Sequence, residues 1–137
     1  MRPASVFLDT GYVIALEAAD DQQHEVTLRH WRGLTGALPV IVTTSYVLNE
    51  IVTFFNSRNR HAKAVEIGSR LTSSPAVRLV HVDESLFYAG WQYFIQHADK
   101  RYSLTDCISF VVMEQRGINT VLAFDRHFSQ AGFERLP

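Results

Sequence analysis

Short apolar runs alternate with longer amphipathic segments along the chain, and this alternation predicts strands separated by helices. Strands are predicted at residues 6–8, 40–43, 77–82 and 120–124, with a fifth candidate in the tail that holds Phe133 and Leu136. Helices are predicted at residues 12–18, 24–34, 46–56, after the break at 56–60 up to 71, 84–97 and 103–117. This order indicates an α/β fold, in which a mostly parallel sheet of four or five strands carries helices on both faces in a three-layer α/β/α sandwich.

Length and composition are those of one globular domain. The chain has 137 residues, 47% of them hydrophobic and 20% charged, so residues 1–137 are expected to form a single folded unit. A formal net charge of −1 gives no overall attraction to a polyanion, so contact with nucleic acid has to come from a local patch. One cysteine, Cys107, and no apolar run long enough for a signal peptide or a membrane span predict a cytoplasmic protein with no membrane partner.

Four acidic residues interrupt apolar segments. Asp9 and Asp125 each follow directly on a predicted strand. Glu50 lies three residues after one apolar side chain and four before another, which puts it beside the apolar side of its helix. Asp106 occupies the first turn of a helix that is apolar nearly all round, where the helix dipole favours an anion.

Each acid also has a purely structural interpretation. Ser103 and Asp106 have the spacing of a capping box, and Asp125 can cap the short segment that follows it. Asp9 can end a strand and begin a turn, and Glu50 can reach water from the boundary of its helix.

Taken together, the four acids are expected to converge on one crevice, because the carboxyl ends of parallel strands meet at one edge of a sheet. Four carboxylates in one place repel each other unless a cation compensates them. Oxygen ligands without clustered Cys or His favour Mg²⁺ or Mn²⁺ over zinc, and such sites serve phosphate-ester chemistry.

Four stretches carry a resemblance to a known family: FLDTGYVIAL, SYVLNEIVTFF, SLTDCISFVVMEQRGI and AFDRHF. They resemble the PIN-domain ribonucleases and, within them, the VapC-type toxins of bacterial toxin–antitoxin pairs. The likeness covers essentially the whole chain, with the elements in the family's order. It implies a PIN-like fold, metal-dependent cleavage of RNA that leaves a 3′-hydroxyl, a cognate antitoxin protein and a homodimer.

The resemblance also implies roles for individual residues. Asp9, Glu50 and Asp106 match the three acids that hold the catalytic metal, and Asp125 matches a fourth, more variable acid. Thr10 and Thr105, beside the acids, are expected to orient metal-bound water. RNA contact is expected from nearby cations, although each of them also fits an ordinary solvated surface charge; they are Arg126, Lys100, Arg101, Arg58 and Arg60.

One position departs from the family pattern, and other functions stay open. Many relatives carry Asn or Ser two residues after the first acid, where this chain has Gly11. The same glycine counts against dehalogenase-like phosphatases, which favour a second Asp there, and response-regulator receivers need a late lysine, whereas the lysines here are Lys63 and Lys100. A PIN-like domain that binds RNA or protein without cutting is the alternative within the family.

Aromatic residues are concentrated in and after the helix at 84–97. Their spacing predicts that most lie in the core, and the alternative is a groove, shared with Phe54 and Phe55, for a second copy or an antitoxin. The residues concerned are Phe87, Tyr88, Trp91, Tyr93, Phe94 and Tyr102.

Overall fold

The computed structural model describes residues 3–137, and Met1 and Arg2 lie outside the described part. Its five strands are β1 (Ser5–Leu8), β2 (Val40–Thr44), β3 (Val77–Val80), β4 (Thr120–Leu122) and β5 (Glu134–Leu136). Its seven α-helices are α1 (Thr10–Glu17), α2 (His24–Leu34), α3 (Ser45–Asn56), α4 (His61–Ser73), α5 (Glu84–Gln96), α6 (Leu104–Arg116) and α7 (Arg126–Gln130). A 3₁₀ turn, Thr35–Ala37, follows α2.

The strands form one sheet in the order β3-β2-β1-β4-β5, and every neighbouring pair is parallel. Phe7 of β1 is in register with Val42 of β2 on one side and with Val121 of β4 on the other. The chain runs outward from β1 first in one direction and later in the other, so the strand order reverses between β1 and β4. In an open parallel sheet this reversal opens a crevice beyond the carboxyl ends of the two strands.

Helices cover both faces of the sheet, which confirms the predicted three-layer class. On one face α1 packs against α2 and α3, and α3 packs against α4; on the other, α5 packs against α6 and α6 against α7. This division is what right-handed crossovers on each side of β1 require. The largest buried side chains, Phe7, Tyr12, Phe55, Phe110 and Phe128, belong to elements of all three layers.

The helix α6 begins and ends where its sequence specifies. The Ser103 hydroxyl accepts a hydrogen bond from the backbone N–H of Asp106 at 3.0 Å, which caps the first turn. Gly117 ends the helix with φ 64°, a left-handed conformation that glycine adopts without steric cost. Residues 106 to 113 between these ends are all buried, so α6 is the central helix of its layer.

The prediction of a mostly buried aromatic cluster on α5 is wrong for three residues. Tyr88, Trp91 and Phe94 are 55%, 40% and 40% exposed, whereas Tyr102 is buried. The reason is that α5 packs on α6 through the face that holds Gly90, where an added Cβ would lie 2.4 Å from Ile108 Cγ1. Leu86 is buried and Tyr93 packs on Phe110, whereas Tyr88, Trp91 and Phe94 lie outside this contact. Within residues 3–137, no helix has both the length and the hydropathy that crossing a bilayer requires.

Candidate functional site

The strand reversal places two of the four acids beside each other. Asp9 follows β1 as the N-cap residue of α1, and its backbone N–H donates to the carbonyl of Leu122 at the end of β4, at 3.1 Å. Asp125 follows β4 after two further residues and is the N-cap residue of α7. Both acids therefore lie at the crevice between β1 and β4.

Glu50 joins this crevice through α1. The Thr10 hydroxyl, one residue after Asp9, donates a hydrogen bond to Glu50 Oε1 at 2.7 Å. Glu50 is half-buried in α3, so its carboxylate is held between the helix and the site rather than extended into water. The predicted role of Thr10 in orienting water stays a prediction, and its observed contact is with the acid itself.

Asp106 has both of the roles considered for it. Its carboxylate atom Oδ2 accepts from the backbone N–H of Ser103 at 3.1 Å, which completes the capping box of α6. The residue is only 7% exposed, and its position is fixed by the first turn of the central helix. The cap therefore holds the carboxylate at the site instead of providing an alternative to a site.

His127 connects two of the acids, whereas its sequence position beside Asp125 indicated at most a cation for RNA contact. Its atom Nδ1 lies 2.8 Å from Asp106 Oδ2 and 3.3 Å from Asp125 Oδ1. The backbone N–H of His127 also donates to Asp125 Oδ1 at 2.8 Å. One ligand atom from each of the three residues lies within 4.8 Å of the others, whereas Asp9 and Glu50 stand outside this group.

The loop that carries Asp125 is anchored by the last strand. Arg135 of β5 donates from its guanidinium group to the carbonyl of Phe124 and, through Nε, to the Ser129 hydroxyl at 2.7 Å. Through these bonds, the Arg135 side chain links Phe124, the residue before Asp125, to Ser129 of α7. The position of the fourth acid therefore depends on the C-terminal strand.

The pKa of Asp9 responds to its burial and to the other three acids. The pKa of its carboxyl is raised from 3.8 to about 7, mainly by burial; the backbone N–H of Thr10 lowers it, and the charges of Asp106, Asp125 and Glu50 add to the increase. The charges of the other three predicted acids therefore reach the Asp9 carboxyl. Such a set of carboxylate oxygens suits a hard divalent cation, which would relieve both the repulsion and the cost of burying Asp9.

The other predicted residues lie at different distances from this centre. Thr105 is half-buried at the start of α6, and its carbonyl accepts from the Ser109 hydroxyl. Gly11 has open space where a side chain would be, so the small polar group of the family pattern would fit there. The ordering of water by either position is not tested by these contacts.

The predicted RNA-contacting cations fall into two groups. Arg126 is exposed and lies between Asp125 and His127, directly at the site. Arg58 and Arg60 lie beyond the C-terminal end of α3 over the rings of Phe54 and Phe55, at 3.7 Å and 5.3 Å. Lys100 and Arg101 are exposed in the loop before α6, where Lys100 lies 3.8 Å from Asp99. Arg126 is thus the cation that this structure places beside the acids.

Comparison with known proteins gives a consistent assignment. The family model described as "PIN domain" matches residues 6–134. A protein named 23S rRNA-specific endonuclease VapC20, from two strains of Mycobacterium tuberculosis (CDC 1551 / Oshkosh and ATCC 25618 / H37Rv), is 37% identical over 128 residues. The match spans 93% of this chain and 95% of the relative.

Two solved structures extend the comparison. The crystal structure of M. tuberculosis VapC20, described as a Sarcin-Ricin loop cleaving toxin, matches with a TM-score of 0.84 at 36% identity, over 93% of this chain and 95% of that one. FitAcB from Neisseria gonorrhoeae matches with a TM-score of 0.67 at 17% identity, over 96% of each chain. At that identity FitAcB supports the fold alone.

Proposed function

This chain belongs to the PIN-domain family, and from that premise we propose that it is a metal-dependent endoribonuclease. The predicted family is confirmed, and so is the predicted enzyme class, because a relative that spans the chain is named an endonuclease. The observation that carries the proposal is the placement of Asp9 and Asp125 at the crevice between β1 and β4, with Glu50 tied to it through Thr10 and Asp106 through His127.

The proposed metal ligands are Asp9, Glu50, Asp106 and Asp125, and the proposed ion is Mg²⁺ or Mn²⁺. The donor set supports this choice, because both ions prefer carboxylate oxygen and the site offers several such groups on rigid elements. Held by these residues, such an ion would supply electrostatic activation of the phosphate ester and of a water nucleophile.

The protein's own contribution is to hold the carboxylates before the substrate arrives. Asp106 is fixed by the α6 cap, Glu50 by the Thr10 hydroxyl, and Asp125 by the first turn of α7. The Asp125 side chain is 39% exposed, against 9% for that of Asp106, which fits a position facing the RNA. Arg126, beside it, is proposed to contact the RNA backbone as a phosphate-neutralising cation.

The proposed substrate class is a structured loop of ribosomal RNA. This follows from the similarity of the whole chain to a relative named 23S rRNA-specific and described as cleaving the Sarcin-Ricin loop. The net charge of −1 supports recognition by the shape of a particular RNA element over general attraction to nucleic acid.

The proposal is tested by incubating purified protein with intact ribosomes and, separately, with total RNA extracted from them. We expect discrete cleavage within 23S rRNA in Mg²⁺ or Mn²⁺, with 3′-hydroxyl ends, and no cleavage in EDTA or with Asp9→Asn. Cleavage that survives EDTA and Asp9→Asn would contradict the assigned site. Metal binding without cleavage of any RNA would favour the catalytically silent alternative.

We further propose a protein partner and a cytoplasmic location, as the VapC-type resemblance implies. The exposed side chains of Tyr88, Trp91, Phe94 and Ile95 on α5 support a protein contact, because they leave an apolar surface in water. We propose that the chain binds a second copy of itself to form a homodimer and that it also binds a cognate antitoxin. Light scattering of the protein alone tests the dimer, and co-purification with the product of an adjacent gene tests the antitoxin.

A further inference from the structure

The His127 ring is held by contacts on several sides. Its Nδ1 lies 2.8 Å from Asp106 Oδ2, and its ring packs edge-to-face on buried Tyr102 with centroids 5.3 Å apart. Its backbone is fixed separately, because its N–H donates to Asp125 Oδ1. The side chain therefore crosses from α7 to α6 with little freedom to rotate.

Both hydrogen bonds observed at the Asp106 carboxylate fall on the same oxygen. Oδ2 accepts from the Ser103 N–H at 3.1 Å and lies 2.8 Å from His127 Nδ1. Two donors on one oxygen restrict the rotation of the carboxylate, and Oδ1 is the oxygen that these two donors do not engage. The cap alone would fix only one direction of Oδ2, so His127 supplies the second constraint.

We propose that His127 is a positioning residue, whose Nδ1–H donates to Asp106 Oδ2 and orients this carboxylate for the metal. The inference rests on the proposed function, because it concerns the same metal site. Ligand orientation by an outer hydrogen-bond partner commonly changes metal affinity by about 10- to 100-fold. His127 also sets the spacing between Asp106 and Asp125, since its backbone and side chain each engage one of the two acids.

A direct metal–nitrogen bond is the competing role for the same residue, and the two roles differ in ion selectivity. A nitrogen ligand would favour Mn²⁺ over Mg²⁺, because Mg²⁺ binds oxygen almost exclusively. A positioning residue acts through an oxygen that either ion uses. It should therefore affect the two ions by the same factor.

The experiment measures the affinity of Mg²⁺ and of Mn²⁺ by calorimetry for the wild type and three substitutions of His127. In Asn, the amide nitrogen is separated from Cα by the same number of bonds as Nδ1 is in His127. In Gln it is one bond further from Cα, and Ala has no side-chain donor. We expect His127→Ala and His127→Gln to weaken both ions equally, by about tenfold or more, and His127→Asn to retain most of the affinity. The KM for RNA should stay at the wild-type value at saturating metal.

The matched control is His97→Ala. His97 is also a half-buried histidine against Tyr102, with ring centroids 5.9 Å apart, but its Nδ1 is engaged by the carbonyl of Tyr93 at 2.7 Å. We expect this variant to bind both ions as the wild type does. Melting temperatures without metal then show whether any His127 variant has lost its fold rather than its metal affinity.

Three results would overturn the inference while the proposed function stands: a loss confined to Mn²⁺, an Asn variant as weak as Ala, or an equal loss in His97→Ala. The first would make His127 a ligand, and the other two would make its effect one of general packing. If the wild type binds neither ion, the proposed function fails and the inference fails with it.

Discussion

The two sides of the candidate site treat their acids differently. On the α1–α3 side, Asp9 is buried with its pKa raised to about 7, and the Thr10 hydroxyl is directed to Glu50 instead. On the α6–α7 side, Asp106 and Asp125 accept hydrogen bonds from Ser103 and His127. On the α1–α3 side, the Asp9 carboxyl resists ionisation. On the α6–α7 side, hydrogen-bond donors of the protein compensate the charges of Asp106 and Asp125.

This difference shows where a cation matters most. The α6–α7 side can keep its geometry in the metal-free protein, because caps and the histidine already hold it. Asp9 is the acid whose ionisation is most strongly opposed by burial and by the neighbouring charges. A bound cation is therefore expected to favour the ionised form of Asp9 more than that of the other acids. The proposed metal site is therefore preorganised on one side, and we expect a bound cation to complete the other.

The largest expected contrast is between Asp9→Asn and Asp106→Asn. Both should abolish metal-dependent cleavage, but they should change metal-free stability in opposite directions at pH 8. Asp9→Asn removes a buried charge and should raise the free energy of unfolding, by roughly 4 kcal/mol at most. Asp106→Asn weakens charge-assisted hydrogen bonds and should lower that free energy by about 1 kcal/mol. Urea unfolding in EDTA measures both, and shifts of the same sign would refute the contrast.

The pH dependence of the metal-free protein sharpens the same point. Since the pKa of Asp9 is raised from 3.8 to about 7 on folding, the folded state keeps this proton after the unfolded chain has lost it. The contribution to stability is complete below pH 3.8 and is lost as pH rises to about 7. The wild type should therefore lose stability over this range relative to Asp9→Asn. Parallel stability curves for the two proteins would show that Asp9 ionises normally.

A smaller effect is expected from Thr10→Val, which keeps the side-chain shape and removes the hydroxyl. Without this donor Glu50 is free to turn from the site, so metal affinity should fall by roughly tenfold, as is usual for loss of such a partner. Thr10→Ser keeps the hydroxyl and should bind metal nearly as well as the wild type. Calorimetric titration with Mn²⁺ compares them, and equal affinity in the Val variant would show that Glu50 is held by other contacts.

The smallest expected effect concerns the outer surface of the α6–α7 side. Arg126→Ala should weaken RNA binding at every salt concentration and lower the slope of log affinity against log salt by about one. Arg116→Ala is the control, because Arg116 is also exposed but lies at the opposite end of α6. Binding to an uncleaved RNA in EDTA is the measurement, and equal slopes for the two variants would remove Arg126 from the RNA contact.

The elements of the fold could be predicted because local signals agreed with one another. Ser103 and Gly117 bracket α6, and the structure places its ends where those residues predict. The exposure of α5 could not be predicted in the same way. Its aromatic residues surround most of the helix, and only the close approach of Gly90 to Ile108 decides which side is covered. The approach of Gly90 to Ile108 depends on how α5 packs on α6, and the spacing of apolar residues along α5 does not indicate it.

The acids that directly follow strands could be predicted to lie together, because the sheet determines where the strand ends meet. Contacts that depend on how the helices pack could not be predicted. Asp9 and Asp125 follow parallel strands, whose carboxyl ends meet at one edge. The contact of His127 with Asp106 depends instead on how α7 packs on α6, and the sequence shows only a histidine two residues after an acid. Whether the four acids together hold a metal stays a prediction that the measurements above decide.

The register between β1 and β4 has a consequence for how the enzyme is made. Phe7 pairs with Val121, so the crevice needs a strand from the beginning of the described chain and one from near its end. During translation the N-terminal elements emerge first. Asp9 and Glu50 are therefore exposed long before Asp106 and Asp125 have been synthesised. We expect a ribosome-bound nascent chain to lack metal-dependent nuclease activity until β4 and α7 have emerged.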